Sequence, residues 1–142
     1  MADFIRVLLI FHFIGLTMGF TAGFSGLVMA RLMAAASPDE RGVLARVPPA
    51  MSRIGDIGLV LLWLTGLGLL FLKWGGFGAM PGLFHAKITA VVILSGIIGY
   101  MHVLMRKARQ GDAAAAARLP LVGRAAMLTA LTALVLAVLT FE

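Results

Sequence analysis

Four apolar runs, at 7–30, 54–72, 83–105 and 121–141, decide most of what this 142-residue chain can become. Each has roughly the ~20 residues needed to cross ~30 Å of hydrocarbon. Lipid offers the backbone no water to bond, so such runs close their hydrogen bonds internally, as helices. The composition agrees. Hydrophobic residues make up 61% and charged residues 13%, with mean hydropathy +1.04, against about 45–50% apolar and ~25% charged in a soluble domain. The chain is therefore expected to be an all-α integral membrane protein. It reads as a four-helix bundle forming one transmembrane domain over 1–142, with spans at about 4–33, 54–73, 83–106 and 120–141. The first run is expected to persist as a span. Asp3 offsets Arg6 at its start, its apolar stretch exceeds the about 7–15 residues of a signal peptide, and Arg31 separates it from the small residues at 34–36.

The net charge is +6, and its distribution carries more information than its size. Arg31, Arg41, Arg46 and Arg53 lie around the first connection, and Arg106, Lys107, Arg109, Arg118 and Arg124 around the third. The other side holds only Arg6, Lys73 and Lys87. This asymmetry predicts cytoplasmic first and third connections, with both termini on the outer, periplasmic side of a bacterial inner membrane. Basic residues beside an anionic leaflet account for the charge. The expected partner is the lipid bilayer, and no nucleic-acid partner is implied. With no cysteine, thiolate ligands, iron–sulfur clusters and covalent c-type haem are excluded.

The connections have their own signatures. Ser37-Pro38-Asp39-Glu40 reads as a capping box with proline at the first helical position. It predicts a short amphipathic inner-surface helix over 37–47, ended by Pro48-Pro49. The second span is expected to start near Met51 or Ser52. The glycine-rich segment 75–82 predicts an irregular outer loop. Residues 113–117 favour helix by propensity, and Pro120 is expected to introduce the fourth span, where Thr129, Thr132 and Thr140 can bond within the helix.

The first span carries the most informative constellation. At ~100° per residue, Gly15, Gly19, Gly23 and Gly26 all fall within about 60° of His12. Glycine stripes let another body approach a helix closely. That body is either a neighbouring helix or a flat cofactor whose metal His12 binds. An ionisable group placed this deep favours a functional role, and a neutral imidazole suits a haem iron. By topology His12 and His85 both lie in the outer half, offset by roughly 10 Å in depth at ~1.5 Å per residue. Lys87 is the nearby cation for a carboxylate, although two positions place it about 160° round the helix from His85. Arg31 and Arg53 are the inner candidates. His102 lies too far along the helix from His85 to share one haem with it, and reads as an interfacial histidine at the depth of Arg31. Asp56 follows Arg53 by three residues, which predicts either a local ion pair or a proton-relay acid. Met101, His102 and Met105 would suit Cu(I), or simply fill apolar gaps.

Phe11-His12-Phe13-Ile14-Gly15, Thr65-Gly66-Leu67 and Leu83-Phe84-His85-Ala86-Lys87-Ile88-Thr89 together resemble the HemJ-type protoporphyrinogen IX oxidases over roughly residues 5–107. More loosely, they resemble the small CopD-like membrane proteins. The resemblance implies a helical membrane protein binding haem b and oxidising protoporphyrinogen to protoporphyrin, with electrons passing to quinone. It implies His12 as a haem ligand, His85 and Lys87 as members of an outer functional cluster, and Arg31 as the family's arginine near the end of the first span. The expected site is therefore His12 and His85 at the metal, with Lys87, Arg31, Gly15, Gly19 and Gly23 around the cofactor. The alternatives are a copper or small-solute transport protein, or a structural subunit that forms a homo-oligomer through its glycine faces.

Overall fold

A computed structural model describes residues 1–141. Its helices are α1 (Ala2–Ala35), α2 (Pro38–Leu44), α3 (Val47–Trp74), α4 (Gly82–Arg109) and α5 (Ala113–Phe141). Four of them, α1, α3, α4 and α5, are long and apolar enough to cross a membrane. Little of each apolar stretch is buried within the bundle. Large side chains such as Phe13, Leu64, Leu121 and Leu128 are more than 60% exposed, a surface suited to lipid rather than water. The protein is a multi-pass helical membrane protein.

The closest helix pair is α1 with α3, and glycine is the reason. A Cβ on Gly58 would lie 2.8 Å from the Gly15 carbonyl oxygen and 3.0 Å from the Gly19 amide nitrogen. A Cβ on Gly15 would meet the Gly58 carbonyl at 2.9 Å. Two backbones touch here because neither has a side chain in the way. The register runs antiparallel: Leu8 lies over Gly68, His12 over Gly66, Gly15 over Gly58 and Ala22 over Gly55. Helices α4 and α5 also pack closely, and α1 meets α5. By contrast, α3 and α4 meet through longer side chains, with Trp63 Nε1 donating to Ser95 Oγ at 3.1 Å.

Two helix starts differ from the sequence expectation, both at proline. The capping box at Ser37 forms, with Ser37 N–H donating to Glu40 Oε2 at 2.8 Å. The short helix it opens ends at Leu44, and Pro48-Pro49 lie in the first turn of α3. A first-turn residue needs no N–H donor, so proline fits there without loss. Similarly, Pro120 does not open the fourth span. Asp112 Oδ1 caps α5 by accepting from Ala115 N–H at 3.0 Å, and Pro120 sits inside the helix. The alanines at 113–117 extend the helix by a turn and a half.

At the other end the glycine loop packs against α3 and the start of α4. Gly75, at φ 74°, ends α3, and Gly76 N–H donates to Leu70 O at 3.1 Å. One 3₁₀ turn, Phe77–Ala79, returns the chain so that Met80 and Phe84 bury against Leu70, flanked by Leu67 and Ile88. Phe77 stands edge-on to Phe71, with centroids 6.0 Å apart. This apolar plug joins the end of α3, the loop and the start of α4, where Lys87 lies.

Candidate functional site

Beneath the plug, Thr65 is the one buried polar side chain among the described residues, at 5% exposure. Its hydroxyl lies 2.5 Å from the Leu61 carbonyl of its own helix and 2.9 Å from His12 Nδ1. A hydroxyl has one proton. Given to Leu61 in the usual back-bond of a helical threonine, it leaves the Thr65 oxygen to accept from His12. His12 then carries its proton on Nδ1, and Nε2 holds the lone pair. The imidazole lies against Gly66, whose absent Cβ would come 3.5 Å from His12 Cε1. The Thr65-Gly66 pair thus works as a seat: the hydroxyl fixes the tautomer and the glycine admits the ring.

The residues of the HAK motif divide between two faces of α4. Lys87 is half-buried and within electrostatic reach of His12. Its Nζ also stands 5.8 Å from the Phe84 ring centroid. His85 is exposed, edge-on to Phe84 at 6.2 Å, and makes no hydrogen bond to His12. Helical periodicity requires this division, because two positions turn a helix by about 200°.

The glycines also separate by role. Gly15 is filled by α3, and the space at Gly23 is filled by Met127 of α5, whose Cε would lie 2.8 Å from an added Cβ. No atom would come within 4 Å of a Cβ on Gly19 or Gly26. At Gly15 and Gly23, then, protein packs against the stripe. Arg31 is exposed near the far end of α1. It lies 19 residues from His12, about 28 Å along the helix, so these two cannot serve one cofactor edge.

A second polar cluster occupies the opposite, basic end, and sequence reasoning missed its central contact. His102 Nε2 and Asp56 Oδ1 are 2.8 Å apart, joining α4 to α3. Among the described residues, Asp56 makes no ion pair with Arg53, which replaces the local-pair expectation. The only signal available in the sequence was the antiparallel register: Trp63–Ser95 and Asp56–His102 have the same residue-number sum. The pair lines an open cleft of about 340 Å³ with Ser52, Arg53, Arg106 and Arg109. Met105 lines it too, but His102 Nε2 is already committed to Asp56. Among the described residues no three His, Cys, Asp or Glu side chains converge as a metal site. Comparison with protein-family models, curated proteins and solved structures found no match for this chain.

Proposed function

We propose that this membrane protein binds haem b through His12 and works as an oxidoreductase, with a porphyrinogen or a quinone as its membrane-soluble partner. The observation that carries the reading is the Thr65 hydrogen bond, which reserves His12 Nε2 as a neutral donor inside an apolar bundle. A bare transition ion in an imidazole and carboxylate site draws three or four ligands from the protein. A porphyrin brings four nitrogens of its own and asks only for an axial one, so the donor set suits a chelated iron better than a naked ion. The haem would supply one-electron chemistry.

The chain's own residues do the rest. Thr65 orients the imidazole, an outer-shell role of the kind that tunes metal ligands. Lys87 supplies positive charge beside a propionate or a substrate carboxylate. His85 has no part in this assignment. Making it a second axial ligand would require α4 to turn by about 160°, swinging Lys87 out of the bundle. The resemblance of the FHFIG and LFHAKIT segments to HemJ-type oxidases supports the choice of cofactor.

Hemin titration of the purified protein in mild detergent tests the reading. Wild type and His85→Ala are expected to take up one equivalent with a sharp Soret band, and His12→Ala none. Uptake by His12→Ala equal to wild type, or none by wild type, overturns it.

A further inference from the structure

The cleft at the basic end has no part in the haem assignment, and its chemistry points elsewhere. Three guanidinium groups line it: Arg53 from the start of α3, and Arg106 and Arg109 from the last turn of α4. None of the three side chains forms an ion pair with another described residue. Among the described residues the one carboxylate lining the cleft, Asp56, is held by His102 at 2.8 Å. The cleft therefore keeps an excess of at least two positive charges. The Ser52 hydroxyl lines it as well.

We infer that this cleft is a binding site for a phosphate-bearing anion. Arginine is the side chain best matched to phosphate, because its planar fork offers paired donors to two oxygens. The position matters as much as the charge. Arg106 and Arg109 stand where the apolar run of α4 ends, at headgroup depth for a spanning helix. Val60, one turn along α3 from Asp56, is exposed and apolar, so a chain esterified to the phosphate has greasy surface to lie on. A lipid headgroup and free phosphate present the same chemistry to these arginines.

The test uses the full-length protein in detergent, with lipid adducts counted by native mass spectrometry. Phosphatidylglycerol, phosphatidylcholine and inorganic phosphate are titrated separately. Retention of phosphatidylglycerol over phosphatidylcholine is expected. It should weaken roughly 30-fold in the Arg106→Gln/Arg109→Gln variant, given the attraction of each basic residue to anionic lipid. Arg118→Gln, outside the cleft, should match wild type, and Arg106→Lys should bind less tightly than wild type but more tightly than Arg106→Gln, since an ammonium keeps the charge without the paired donors. Binding of inorganic phosphate with the same sensitivity to Arg106 and Arg109 would support the site with a soluble ligand as its source. Phosphatidylglycerol binding without phosphate binding would support it with lipid as the source. No preference for either anion in wild type, or equal losses in the double variant and Arg118→Gln, overturns the inference.

Discussion

Replacing Gly58 by alanine adds one methyl group at the tightest point of the bundle. The new Cβ would sit 2.8 Å from the Gly15 carbonyl oxygen, 2.9 Å from Met18 Cβ and 3.0 Å from the Gly19 nitrogen. Ordinary contacts begin near 3.4 Å, so the shortfall is about 0.6 Å. Two of the three opposing atoms are backbone, and no rotamer change can move them. Helices α1 and α3 must separate or tilt. Overpacking of this kind costs about 1–3 kcal/mol, and exchanging a helical glycine for alanine returns about 0.5–1 kcal/mol. The net expectation runs from near zero to a loss of about 2.5 kcal/mol. Gly19→Ala and Gly26→Ala meet no neighbour and should gain about 0.5–1 kcal/mol from propensity alone. Reversible unfolding in mixed micelles, followed by circular dichroism and by fluorescence of Trp63 and Trp74, compares the three. If Gly58→Ala unfolds at the same denaturant fraction as Gly19→Ala, the argument from backbone contact is wrong.

Further predictions concern the polar contacts. Thr65→Val should weaken hemin affinity about 10–100-fold by releasing His12 from its tautomer and orientation, while Thr65→Ser should preserve it; hemin titration separates them. Asp56→Ala and His102→Ala should each cost only about 0.5–1 kcal/mol, because the pair is 41% exposed on both sides, and a double-mutant cycle in the unfolding assay should show that they couple. Hydrogen bonds from Ser37 to Glu40 hold the Glu40 carboxyl below the usual glutamate range, so the cap contributes above that range and is lost as pH falls through the lowered value. Amide protection in α2, taken relative to the intrinsic exchange rate at each pH, should therefore fall on acidification, and pH-independent protection in Glu40→Gln would confirm the source.

The four spans were legible because lipid imposes a length and a composition on each. The capping box was legible because Ser37 and Glu40 are three residues apart and need no tertiary partner. Contacts across helices were not. Periodicity placed His12 and four glycines on one face, but it could not assign Gly15 to α3, Gly23 to Met127 and Gly19 to open space, since those outcomes depend on helix crossing. The same limit hid Thr65 behind His12 and His102 behind Asp56, each pair lying 46 or more positions apart. Proline misled twice for a local reason: it reads as a break, yet the first turn of α3 accepts it and α5 carries it inside.

The central claim is that His12 Nε2 is reserved for a haem iron. The most direct measurement is the reduced-minus-oxidised absorption spectrum of protein purified from haem-replete cells, recorded for wild type and His12→Ala. The account predicts b-type Soret and α bands in wild type and their absence in His12→Ala. A colourless wild-type protein that stays so after hemin is added, or a His12→Ala spectrum matching wild type, would contradict it.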